Sequence, residues 1–220
     1  MSKTKSIANS DTYKEFEISL NAFQPETLEI PITKPEQIYV YYNSIESLYT
    51  WLRNAYGSDL QSIENEIRAT LGHMSEYESD HENLQKAYGH IRRMAIDVLK
   101  ILCNGLDKEF EEWIITHAEF DYNTQDNLYM PMYVKMYNQA RKEYLDAQMK
   151  ENMGSNRNNH IIEKYYKAAK SYGKLYEYHI NKRRIKIHRY YIRMVWQRRL
   201  WIASTSAVTI ISIIGYLMNR

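Results

Sequence analysis

Apolar and polar residues in this chain follow two different rhythms. Before position 44 they alternate: Phe16, Ile18 and Leu20, then Leu28, Ile30 and Ile32, then Ile38 and Val40. Pro25, Pro31 and Pro35 lie between or within these pieces. Proline cannot donate to a sheet ladder, so residues 13–43 are expected to form a small β or extended segment, at most an edge strand or a strap. Residues 1–12 are polar and read as a flexible tail.

From Ser44 the period becomes helical. Ile45, Leu48, Tyr49, Leu52 and Tyr56 share one face, and Gly57 ends it. Ser58 with Gln61 has capping-box spacing ahead of Leu60, Ile63, Ile67 and Leu71, and Ser79 with Glu82 repeats that signal. Leu84, Ala87, Tyr88, Ile91, Met94, Ala95, Val98, Leu99 and Leu102 then form a well-defined apolar face. Asn104-Gly105 predicts a helix stop there, because glycine takes the left-handed cap without a Cβ clash. A short helix over Asp107–His117 and a polar loop over Asp121–Tyr129 are expected next. Pro131 suits the first turn of a helix with Tyr133, Met136, Tyr137, Ala140, Tyr144 and Met149 on its inner side. Met153–Asn159 breaks the pattern. The last stripe uses Ile162, Tyr165, Ala169, Tyr172, Tyr176, Ile180, Ile187 and Tyr191 and meets no stop signal. The expected fold is mainly α: a helical bundle of about five helices over 44–153, with the small N-terminal β or extended segment. A long basic stalk helix over 158–199 follows, continuing into a single transmembrane helix over 200–218.

That last element comes from its polarity pattern. Leu200–Met218 holds 19 residues without a charge, about 28 Å as a helix against a hydrocarbon core of about 30 Å. Trp196, Trp201 and Tyr216 fall where interfacial aromatics belong. Ala203 and Ala207 are a small-xxx-small pair, and Thr205, Thr209 and Ser212 share one face. Such residues let spans pack and hydrogen-bond to one another; alternatively, the hydroxyls bond their own helix carbonyls.

Charge sharpens the picture. The chain has 29 basic and 27 acidic residues, but all acids precede position 181. Lys182, Arg183, Arg184, Lys186, Arg189, Arg193, Arg198 and Arg199 crowd the approach to the apolar run. This predicts attraction to anionic headgroups and a single-pass topology with the N-terminal domain in the cytoplasm. Seven glycines and four prolines suit long helices, and 21 tyrosines suit packed helix faces with wet hydroxyls. A single cysteine, Cys103, excludes a disulfide framework and a Cys-rich zinc site.

Catalytic motifs are absent from the sequence: no phosphate loop, no nucleophile elbow, and no metal spacing among the seven histidines. His81-Glu82 starts like a zinc-protease helix, but Gln85 stands where the second histidine belongs. His90 reads as a packing histidine. The carboxylate pairs Glu64/Glu66, Glu76/Glu78, Asp107/Glu109 and Glu111/Glu112 read as solvated faces. Arg183 and His188 form R-x4-H, which is similar to the catalytic spacing of HEPN-type helical ribonucleases, small all-α dimers. That resemblance covers six residues and implies Arg183 and His188 as weak catalytic candidates, with Arg184 where a polar residue is frequent.

The functional expectation is a non-enzymatic membrane protein without cofactor or metal, working as a homo-oligomer on an anionic bilayer. Bacterial defence and cell-death effectors share this architecture and disturb membranes. The alternative is a tail-anchored adaptor recruiting a cytosolic protein or small ligand; the HEPN-like ribonuclease is third. Nucleic acid is a less suitable partner than lipid, since the basic run abuts an apolar one.

Overall fold

A computed structural model describes residues 10–30, 32–57, 60–77, 82–117, 129–153 and 160–218; within these, side chains 10–11, 29, 117, 129–130, 181–195 and 207–218 are not described. The elements are α1 (Ser10–Ala22), a 3-10 turn (Pro25–Glu29), α2 (Glu36–Tyr56), α3 (Gln61–Ser75), α4 (Glu82–His117), α5 (Tyr129–Asn152) and α6 (Ile161–Met218). The protein is mainly helical, with no strand among the described residues. By its contacts the chain divides into two units, Met1–Glu177 and Tyr178–Arg220.

The expected N-terminal β segment is not there. Phe16, Leu20 and Phe23 are buried at i, i+4 and i+7, while Ile18 is 70% exposed. The alternation of 16, 18 and 20 was incidental to a helical face, that of α1. Similarly, Ile38 and Tyr41 are buried and Val40 is exposed, so the α2 face begins at Ile38, ahead of Ser44. The connector between these helices, which includes the 3-10 turn, acts as a strap. Its carbonyls at Leu28, Ile30 and Ile32 accept from Tyr88 Oη (2.9 Å), Tyr41 Oη (2.8 Å) and Gln85 Nε2 (3.1 Å). Side chains of α2 and α4 thus satisfy polar groups that a neighbouring strand would have satisfied in a sheet.

The helix α4 is the hub, packing against α2, α3 and α5. It does not stop at Gly105. The helix runs on to His117, and a Cβ at Gly105 would meet Tyr56 Cζ at 2.6 Å. Glycine is there because the Tyr56 ring lies against the helix backbone. Gly57, by contrast, ends α2 as expected, at φ 54° with its N–H on the Arg53 carbonyl. The start of α3 differs from the capping-box expectation: its N-cap is Leu60, without a side-chain cap, and Ser58 and Ser79 lie outside the described residues.

Between α4, α5 and α6 the core is aromatic. Tyr133, Tyr165, Tyr172 and Tyr176 are among the largest fully buried side chains. Phe110 stacks on Tyr172 at 6.2 Å and meets Tyr133 edge-on at 6.1 Å. Such pairs add about 0.5–1.5 kcal/mol each beyond burial. The first helix closes on the last: Phe16 lies 5.8 Å from Tyr176, and a Cβ at Gly173 would sit 3.2 Å from Phe16 Cε1.

In the second unit α6 continues to Met218. Among the described residues no helix is long and apolar enough to cross a membrane, so the fold lends no support to the span expected over Leu200–Met218. Most of that stretch, 207–218, is described as backbone only.

Candidate functional site

The residues expected to carry function lie on the second part of α6. Trp196, Arg198, Arg199, Leu200, Trp201, Ile202, Ala203 and Thr205 are all exposed. Three large apolar side chains in a row, Leu200 to Ile202, therefore stand uncovered beside two arginines. Ser204 Oγ and Thr205 Oγ1 both donate to the Trp201 carbonyl at 2.9 Å, and Ser206 Oγ donates to that of Ile202 at 2.8 Å. At these three positions the hydroxyls serve their own helix. The side chains of Lys182, Arg183, Arg184, Lys186, His188, Arg189, Arg193, Ala207, Thr209, Ser212 and Tyr216 lie outside the described residues. That includes the R-x4-H pair.

Inside the first unit is a polar network that the sequence reading passed over. Tyr172 Oη donates to Asp107 Oδ1 at 2.7 Å across α6 and α4. Arg141 of α5 lies 3.9 Å from Asp107 Oδ2, and its Nη1 donates to Glu111 Oε1 and Tyr137 Oη, both at 2.7 Å. Glu111 by hydrogen bonding, then Asp107 by charge, hold the guanidinium firmly protonated. Burial, then the Asp107 charge, pushes Tyr137 up to about 12. One step along the same interface, Glu151 accepts from Lys100 Nζ at 3.0 Å and from Tyr165 Oη. Three helices are thus tied by carboxylates that accept buried phenols. Tyr172→Phe is expected to lower the stability of the bundle by about 1 kcal/mol, the usual worth of one such bond, read from the urea midpoint. No change in midpoint would mean the bond contributes nothing.

Asp107 escaped notice for a definite reason. Ending the helix at Gly105 removed it from the α4 register. With the helix continuous, Asp107 falls four residues after Cys103 and three before Phe110, both buried. Cys103 itself donates to the Tyr165 carbonyl at 3.8 Å, and its thiol pKa is pushed well up by burial and then by Asp107. A thiol held protonated is no nucleophile.

Between α3 and α4, His90 Nδ1 is 2.6 Å from Glu66 Oε2, which also accepts from Arg93 Nε at 3.1 Å. The His73 ring stacks on His90 at 5.2 Å and its Nδ1 meets Asn83 Oδ1 at 3.1 Å. His90 packs as expected, but Glu66, read as solvated, is its partner. No group of three or more His, Cys, Asp or Glu side chains among the described residues is placed to hold a metal ion. A groove of about 280 Å³ between α5 and α6 is lined by Gln139, Lys142, Glu143, Asp146, Lys164 and Lys167. Its carboxylates are already engaged, Asp146 by Lys164 and Glu143 by Ser171 and Lys167.

No family model, no curated protein and no solved structure matches this chain.

Proposed function

We propose that this is a membrane-anchored helical protein that acts through self-assembly at the bilayer, with the body of the bundle in the cytoplasm and no catalytic site of its own. The observation that carries the reading is the exposure of Trp196, Leu200, Trp201 and Ile202 on α6. Leu200, Trp201 and Ile202 open a sequence stretch of 19 residues without a charge, and Trp196 lies just before it. Moving such side chains from water to lipid is worth about 1.5–3 kcal/mol each. Every basic residue beside the surface adds about 1 kcal/mol of attraction to anionic headgroups. Tryptophan at the boundary fixes depth, and the basic residues ahead of it favour the cytoplasmic side. Assembly of such anchors would organise or disturb the bilayer, an architecture shared with membrane-acting defence effectors.

The adaptor reading draws on a separate observation. Hydroxyls at 204–206 that serve their own helix carbonyls leave less for bonds between spans, which suits a plain anchor that recruits a partner.

Flotation with phosphatidylcholine/phosphatidylglycerol vesicles tests the anchor. The full chain is expected in the vesicle fraction and to resist extraction by high salt and by alkaline carbonate. A chain ending at Arg199 is expected to be released by salt. Recovery of the full chain away from lipid, or its release by salt alone, overturns the proposal. Dye leakage from the same vesicles separates disturbance from anchoring.

A further inference from the structure

We infer that the solvent face of α5 is a docking surface for a second copy of this chain, which meets it with the solvent face of its own α2. The inference rests on the self-assembly reading and names the surface involved.

Inside the bundle α5 buries Tyr133, Tyr137, Ala140, Tyr144 and Ala147. The opposite side of the helix carries Lys135, Asn138, Lys142, Leu145 and Met149, continued by Met153 just past its end, spaced by three or four residues and all exposed; Met149, expected on the inner side, faces outward instead. Leu145, Met149 and Met153 are 47–73% exposed at i, i+4 and i+8. This is a stripe rather than scattered single residues, and methionine adapts readily to a partner's shape. The carboxylate nearest that face, Asp146, is held by Lys164 of α6. The face is therefore apolar and basic.

The outer side of α2 has the complementary character. The helix buries Ile38, Tyr41, Ile45, Leu48 and Leu52 and exposes Glu36, Tyr39, Val40, Asn43 and Glu46. Tyr39, Val40 and, on the connector just before, Ile30 are 57–59% exposed. Arg53 is the cation at the far end. This face is apolar and acidic. The two helices also match in reach, with 21 and 24 residues, or about 32–36 Å.

Charge over longer stretches points the same way. Residues 1–128 hold 22 acids and 11 basic residues, whereas residues 129–177 hold 5 acids and 9 basic residues. A lipid surface would attract only the basic half. A second copy satisfies both halves, because each chain carries the surface and its complement. The two patches differ, so the contact is heterologous: it propagates head to tail and closes into a ring or runs on as a filament. Electrostatic complementarity sets register and encounter, and the apolar stripe supplies the burial.

The test uses the full chain in detergent, with the mass of the assembly read by light scattering against concentration. Lys135→Glu with Lys142→Glu is expected to weaken assembly by about tenfold or more, as like charges now face each other. Glu36→Lys with Glu46→Lys is expected to do the same. Mixing these two variants restores assembly, since each then presents the complement of the other on both faces. Met149→Asp weakens assembly and is not rescued by mixing. Wild-type chains that stay monomeric, reversals that leave the mass unchanged, or a mixture that fails to reassemble overturns the inference. Vesicle flotation of the same samples keeps the readings apart. A wild type that floats and assembles while the reversals leave its mass unchanged sinks the docking surface alone, one that floats but never assembles sinks the self-assembly reading with it, and one that does not float sinks the anchor.

Discussion

Raising the pH past 10 is expected to unfold the bundle cooperatively, with helix signal and tyrosinate absorbance changing together. Tyr165, Tyr172 and Tyr176 are essentially without solvent contact. Burial raises the pKa of each first; the hydrogen bond to Glu151 adds to Tyr165, that to Asp107 adds to Tyr172, and the charge of Glu109 adds to Tyr176. Tyr13 and Tyr144 are pushed up to about 12, again chiefly by burial. The sign follows from proton counting. Above the ordinary tyrosine value of 10.0 the unfolded chain releases phenol protons that the folded chain retains. Stability is therefore complete below pH 10 and falls above it. Each retained proton costs about 1.4 kcal/mol per pH unit, so the three innermost tyrosines together cost about 4 kcal/mol per unit, against a typical domain total of 5–15 kcal/mol. Replacing Tyr165 and Tyr172 by phenylalanine should flatten the slope. Tyrosinate that appears gradually around pH 10 while the helix signal persists would show that these phenols reach water in the folded state.

Gly105→Ala is expected to destabilise the bundle by up to about 2 kcal/mol, against the ordinary trend for glycine inside a helix. Alanine gains about 1 kcal/mol of helix propensity there. The new methyl, however, would lie 2.6 Å from Tyr56 Cζ, 2.8 Å from Oη and 2.9 Å from Cε1. Overpacking of that kind costs about 1–3 kcal/mol, because the ring must leave its slot between the end of α2 and the middle of α4. The diagnostic is a change of sign. In a Tyr56→Ala background the clash is gone, and Gly105→Ala should then stabilise by about 1 kcal/mol. Urea midpoints of the four chains in the cycle decide it. A stabilising Gly105→Ala in the wild-type background would mean that the ring yields freely.

These contacts also mark where the sequence was legible. The long faces of α4 and α6 are spelled out by repetition: Leu84 through Leu102 and Ile162 through Tyr176 recur often enough that chance cannot imitate them. Short segments lack that redundancy. Phe16, Ile18 and Leu20 fit a strand as well as a helix, and only the burial of Phe23 with Phe16 and Leu20 separates the two. Gly105 misled for another reason. A glycine seen without its neighbours marks a helix end, but its role here is to admit Tyr56, 49 positions earlier in the chain. The Asp107–Tyr172–Arg141 network was lost with it, since a carboxylate at the start of a separate short helix has no place on the buried α4 face. Carboxylates such as Glu66 and Glu151 show no sequence periodicity of their own. Their partners come from other helices and become visible only when those helices meet.

The contact between α1 and α6 sets an order on biosynthesis. Phe16, Leu20 and Phe23 leave the ribosome early, yet Gly173 and Tyr176, against which Phe16 packs, and Tyr166, which lies 5.4 Å from Phe23, are made more than 140 residues later. Phe16 can meet Trp51 of α2 early, at 4.9 Å, but at roughly 5–20 residues per second the part of the α1 face that seats on α6 waits on the order of ten seconds, open to any chaperone that passes. A nascent chain stalled before α6 would display that surface indefinitely, a ready signal for its own removal.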